Sequence, residues 1–103
     1  MEKYKQDNFD YCKSIADNLI KARSQGILIE YFDDVLDFTF QVNSKKEYMS
    51  VKVYVTLGGP NVHICTREKA VKLFWGTDHA TYRLPCDVCD SIDEMFQEIY
   101  DNQ

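Results

Sequence analysis

Near the end of the chain the run LPCDVCDSIDEMFQEIYDNQ, residues 84–103, holds two cysteines three apart, Cys86 and Cys89, and six acidic residues with no basic one. Two chemistries are on offer. A Cys-x-x-Cys where a strand gives way to a helix is the arrangement in which the helix N-terminus lowers a thiol pKa for redox work. The alternative is half of a zinc site, since a structural zinc takes four Cys or His ligands. The setting opposes both. Asp87 and Asp90 put negative charge beside the thiols, and the neighbouring strands lack the βαβ context that the redox motif expects. For zinc, no second Cys-x-x-Cys or His-x-x-x-His is present, so His63 with Cys65, or His79, would have to arrive through the fold. Cys89 is expected to be a small buried hydrophobe and Cys86 its partly exposed neighbour. No metal or cofactor is expected.

The acids form a pattern of their own. At 100° per residue, Val88, Cys89, Ile92, Met95, Phe96, Ile99 and Tyr100 fall within about 140° of arc, a core-facing stripe. Opposite them Asp87, Asp90, Glu94, Glu98 and Asp101 lie within roughly 80°, a row about 21 Å long at 1.5 Å per residue. Asp93 sits at its edge. The whole chain totals -5, so everything outside these six acids sums to +1. The row has a physical cost: 90/94 and 94/98 are like-charged neighbours, each worth roughly 0.2–0.5 kcal/mol of repulsion, and Glu98 and Asp101 oppose the helix dipole. A solvated face is the commoner meaning of such a run. The sharper meaning is a binding row, sparser than the one charge per ~3.4 Å of a duplex strand but similarly linear, able to occupy a basic groove meant for nucleic acid.

Other constellations carry less. His63 and Cys65, two apart on one strand face, imitate a catalytic pair but lack an orienting third group and an oxyanion site. LGGPN, residues 57–61, lacks the Lys-Ser/Thr ending of a phosphate loop and reads as a turn. Catalysis is the poorest class for this chain.

The elements that position these residues follow from hydrophobic period. Phe9, Cys12, Ile15, Ala16, Leu19 and Ile20 recur at helical spacing, predicting a helix from about Asp7 to Ser24 that Gly26 stops. Then the period drops to two. Leu36, Phe38, Phe40 and Val42 alternate with polar residues, NSKKE turns the chain, and Met49, Val51, Val53, Val55 and Leu57 continue the alternation, predicting an antiparallel pair. GILIEYF, residues 26–32, reads equally as a strand or as the run-out of the first helix. Three short strands are predicted after the LGGPN turn, at Val62–Thr66, Val71–Trp75 and Ala80–Leu84, joined through REKA and GTDH. Pro85 suits the first turn of a closing helix. The expectation is a single α+β domain over residues 1–103: an antiparallel meander of four to six strands with an N-terminal and a C-terminal helix packed on one face.

That arrangement would leave the other sheet face open, showing Tyr48, Ser50, Lys52, Tyr54 and Thr56, then His63, Cys65, Lys72, Phe74, Thr81 and Arg83. Aromatics interleaved with bases on an open sheet suit single-strand nucleic-acid binding, with Tyr48, Lys52, Tyr54, Phe74 and Arg83 as the secondary surface. No RNP-like string is present, and strands often carry such rings for cross-strand packing alone, so direct nucleic-acid binding ranks below a protein contact. Self-association through these aromatics stays open. The charge of -5 argues against bulk attraction to nucleic acid or anionic lipid and favours a basic partner. No apolar run has signal-peptide or membrane-span length, and four cysteines are too few for a disulfide scaffold, so a reducing, cytoplasmic setting is expected.

The run VYVTLGGPNVHICT, with VKLFWGTDHATYRL and CDSIDEMFQEIY after it, resembles a group of small proteins of bacterial phages and mobile elements, over about residues 51–100. The shared pattern is the Gly-Gly-Pro-Asn turn, the Trp-Gly after the next strand and the Ile-Asp-Glu in the last helix; His63 and Cys65 depart from it. Small acidic proteins of such elements include anti-CRISPR and other anti-defence inhibitors. The resemblance therefore implies a non-enzymatic inhibitor or adaptor that binds a basic nucleic-acid-handling protein, such as a defence nuclease complex. Asp87, Asp90, Glu94, Glu98 and Asp101 would be its contact row.

Overall fold

The computed structural model describes residues 3–34, 37–56 and 61–103. The first helix, α1 (Lys3–Ser24), starts earlier than the apolar spacing predicts and buries Cys12, Ile15, Ala16, Leu19 and Ala22. Phe9 and Ile20 stay partly exposed at the edges of that stripe. Gly26 ends the helix through its backbone. With φ +71° it takes the left-handed conformation, its N–H donates to the Arg23 carbonyl at 3.1 Å, and the Ile27 N–H reaches the Ala22 carbonyl at 2.9 Å. These are the two bonds of a Schellman cap, which satisfy carbonyls the helix leaves open.

The ambiguous segment after Gly26 is helical. Leu28–Tyr31 forms a short α2 and Phe32–Asp34 a 3₁₀ turn, with Leu28 and Phe32, four apart, both buried. Five strands follow: β1 (Asp37–Val42), β2 (Tyr48–Thr56), β3 (Asn61–Cys65), β4 (Ala70–Trp75) and β5 (Asp78–Arg83). They make one open antiparallel sheet in the order β1-β2-β3-β4-β5. The closing helix is α3 (Cys86–Asp101), so the architecture is the α+β meander with terminal helices that the period changes predict. Leu36 and the LGGP part of the expected turn, residues 57–60, lie outside the described residues.

Turn chemistry sets the hairpins. The Asn43 side chain accepts from the N–H groups of Lys45 and Glu47 at 2.9 and 3.0 Å, and Lys46 adopts φ 63° in the NSKKE connection. Between β4 and β5 the turn is tighter than the GTDH reading: Asp78 and His79 already belong to the strand. Gly76 at φ 60° and Thr77 form a two-residue connection, the glycine-first pattern of hairpins whose twist matches their strands. Pro85 stands one position earlier than predicted, capping α3 from outside, and its carbonyl accepts the first helical bond from Cys89 at 3.2 Å.

Both long helices cover one sheet face, α1 over β4 and β5, α3 over β2 and against α1. Between them Val51, Val53, Val62, Ile64, Val71 and Leu73 from the strands meet Leu19 from α1 and Val88, Cys89, Ile92 and Phe96 from α3. Ile92 is fully buried at this junction. Ile92→Ala is expected to cost about 2–5 kcal/mol through lost transfer energy and an unfilled cavity. Urea unfolding followed by circular dichroism checks it, as a lowered midpoint with an unchanged slope.

Candidate functional site

The seating of α3 decides where its acids point. Its N-terminal half is fixed by Val88, Cys89 and Ile92 in the core, and its C-terminal half by rings. Phe96 meets Phe32 at 5.4 Å and Phe38 at 5.1 Å; Phe38 meets Phe40 at 5.2 Å, and Phe40 meets Tyr100 at 5.1 Å, each in an edge-to-face arrangement. Such contacts contribute roughly 0.5–1.5 kcal/mol each beyond area burial and fix the helix rotation. Two hydroxyls lock the same side: Tyr48 Oη donates to Asp93 Oδ1 and Tyr100 Oη to the Lys46 carbonyl, each at 2.6 Å.

With that rotation Asp87, Asp90, Glu94, Glu98 and Asp101 are all exposed. Their electrostatic states differ. Asp87 Oδ2 lies 3.3 Å from Arg23 Nη1, and Arg23 Nε donates to Ser91 Oγ at 2.7 Å, so the end of α1 clamps the start of α3. Asp90, Glu94, Glu98 and Asp101 form no ion pair with the described residues. The uncompensated part of the row therefore begins at Asp90.

Tyr48 does not stand on the open sheet face, which corrects its place in the expected secondary surface. A register shift between Gln41 and Val42 pairs Val42 with Tyr48, and Met49 is taken up as the extra residue of a bulge. One additional residue inverts the strand's phase. Tyr48 thus turns inward to Phe40, Tyr100 and Asp93, and Met49, predicted inward, is exposed.

The remaining open-face residues do assemble. Cross-strand register sets Lys52 opposite Cys65, Cys65 opposite Ala70 and Ala70 opposite Arg83; the adjacent row runs Tyr54, His63, Lys72, Thr81. The His63 ring stacks on Phe74 at 5.6 Å and 20°, and Tyr54 meets it edge-to-face at 6.2 Å. Burial first, then Lys52 and Lys72, push the His63 pKa below its usual value, so the imidazole is neutral at pH 7. Cys65 is buried and its thiol donates toward Glu68 Oε1 at 3.9 Å.

Of the Cys86/Cys89 pair, Cys86 is exposed and Cys89 is fully buried. Burial, followed by Asp93, raises the Cys89 pKa to about 11, the reverse of what a reactive thiol needs. Among the described residues no three His, Cys, Asp or Glu side chains gather as metal ligands. Nor is any helix among them long and apolar enough to cross a membrane.

Periodicity does not reveal one feature. Ile99, counted on the core stripe of α3, is 42% exposed, and Ile29 on α2 is 66% exposed. Between them runs an open groove of about 670 Å³ lined by Phe32, Phe38, Met95 and Phe96, with Asp33 and Glu98 also on its lining. It continues past Ile29 and Met95 toward Glu94 and Arg23. The only signal in the sequence is that the apolar arc of α3 is wider than one neighbour covers.

The chain matches no protein-family model, no curated protein and no solved structure. Two buried thiols and one half-buried tyrosine give the fold a pH signature. Burial raises Cys12 and Cys89 from 9.0 to about 11, and raises Tyr48 further above its ordinary range, its bond to Asp93 adding to the effect. Above pH 9 the unfolded chain then binds fewer protons than the folded one, so stability is full below about pH 9 and falls as pH rises toward 11. Each thiol contributes up to roughly 1.4 kcal/mol per pH unit across that window. Urea midpoints should decline between about pH 9 and 11, and a Cys12→Ala, Cys89→Ala variant should show a shallower decline.

Proposed function

We propose that the protein is a non-enzymatic inhibitor or adaptor of a basic nucleic-acid-handling protein, in the manner of the anti-defence inhibitors of phages and mobile elements. Its contact is the acidic side of α3. The single observation that carries this reading is that Asp90, Glu94, Glu98 and Asp101 stand exposed on one rigid helix with no ion pair to the described residues. Stability does not account for them. Like charges at 90/94 and 94/98 repel, and Glu98 and Asp101 oppose the dipole of the last turns. A basic groove removes both penalties, and the resulting attraction accelerates encounter. Asp87 serves as a clamp to Arg23 at the end of the row.

A second reading, a single-strand nucleic-acid binding module, is favoured by the ring set Tyr54, His63 and Phe74 with Lys52, Lys72 and Arg83 around it. Phe74, 44% exposed, offers a face on which a base can stack, although its other face is already taken by His63.

Two experiments separate the readings. Asp90→Lys, Glu94→Lys and Glu98→Lys together should abolish retention of the partner recovered by affinity purification from the host, with the melting temperature unchanged or raised. Retention should also fall between low salt and about 0.5 M, as screening shortens. Unchanged affinity in the triple variant removes the acidic-row reading. In a gel shift with a labelled single-stranded oligonucleotide, binding at moderate salt that is lost in Tyr54→Ala, Phe74→Ala would instead promote the sheet face.

A further inference from the structure

Resting on the acidic-row reading, we infer that the groove between α2 and α3 is the docking site for a basic amphipathic helix of the partner protein. The row alone explains attraction but no register. The groove supplies it: Ile29 from α2 and Phe32 from the turn after it line one side, Met95, Phe96 and Ile99 from α3 line the other, and Phe38 from β1 completes the apolar lining. Met95 and Ile99 are one helical turn apart, the spacing at which ridges of one helix enter grooves of another. Exposed Ile29 and Ile99 are the two large apolar side chains that folding leaves uncovered here.

Charge specifies the occupant. Asp33 lies on one side and Glu94 and Glu98 on the other, while the cation at the far end, Arg23, is already bound by Asp87. A segment that buries leucines in the groove therefore needs lysines or arginines on both flanks. It must also be helical. The lining is dominated by apolar side chains, so an extended peptide pressed into it would leave backbone N–H and C=O groups unpaired, whereas a helix satisfies its own.

The probe is a fluorescein-labelled peptide of about 18 residues, five turns, built from leucine and lysine with leucines at i, i+3, i+4 and i+7. Its control is an isomer of identical composition with the leucines dispersed. Fluorescence anisotropy should show the striped peptide binding about tenfold more tightly than the isomer. About tenfold should be lost both in Ile29→Ser, Ile99→Ser and in Asp90→Lys, Glu94→Lys, Glu98→Lys. Both isoleucines are exposed, so the serine variant should keep its circular dichroism melting curve.

Equal binding of the two peptides overturns the groove but leaves the acidic row standing. Loss in the serine variant with no loss in the lysine variant overturns the charged flanks, and the row with them. Failure of the striped peptide to bind overturns the groove. So does sedimentation of the free protein as a dimer that the serine variant converts to a monomer, because a second copy would then be the occupant.

Discussion

Everything that faces solvent in this molecule depends on the removal of one apolar stripe from water. Val88, Cys89, Ile92 and Phe96 enter the core between α1 and the sheet, and at roughly 1.5–3 kcal/mol for burying a large aliphatic or aromatic side chain they outweigh the repulsion among the acids above them. The aromatic chain from Phe32 through Phe96, Phe38 and Phe40 to Tyr100 then sets the helix rotation. A helix held only by nonspecific apolar contact could roll and bring an acid against the sheet; the crossed rings and the two tyrosine hydroxyls prevent that. The charged surface is thus a consequence of packing, and the core tolerates an arrangement that an isolated helix would resist.

The same packing divides the protein electrically. On the side of α3, Asp90, Glu94, Glu98 and Asp101 have no ion pair among the described residues, while the Arg23 guanidinium is spent on Asp87 and Ser91. On the far side of the sheet Lys52, Lys72 and Arg83 surround neutral rings, and Lys72 is paired with Glu68. Burial, and after it the nearby lysines, lower the His63 pKa, so the imidazole adds no charge to this face at neutral pH. A small domain with such a division has an orientation before it makes any contact, because its field turns it in an encounter with a charged surface.

Much of this was legible in the sequence because period reports burial. Helical spacing through Cys12, Ile15 and Leu19 and alternation through Val51 and Val53 specify a helix and a strand, and the change of period at Gly26 marks the cap. What was not legible has three physical causes. A four-residue helix such as α2 is too short to show a period, so GILIEYF stays ambiguous. A bulge is invisible to alternation, and it moved Tyr48 from the open face to the helix side, where it became a partner of Asp93. Finally, an apolar arc counts what a helix offers and not what arrives to cover it. Ile99 reads as a core residue for that reason, and the groove beside it depends on where α2 ends. Within the acidic row, pattern located the side chains, but only tertiary structure distinguishes the paired Asp87 from the others.

The distribution of sulfur has a practical meaning. Cys12, Cys65 and Cys89 are enclosed and Cys86 alone lies at the surface, all four as free thiols. A maleimide applied to the native molecule therefore has one reachable target, at the first residue of α3 and beside the clamp between the two long helices. Labels on the other three would register excursions that open the core, so this chain carries its own reporter of transient unfolding without any engineered residue.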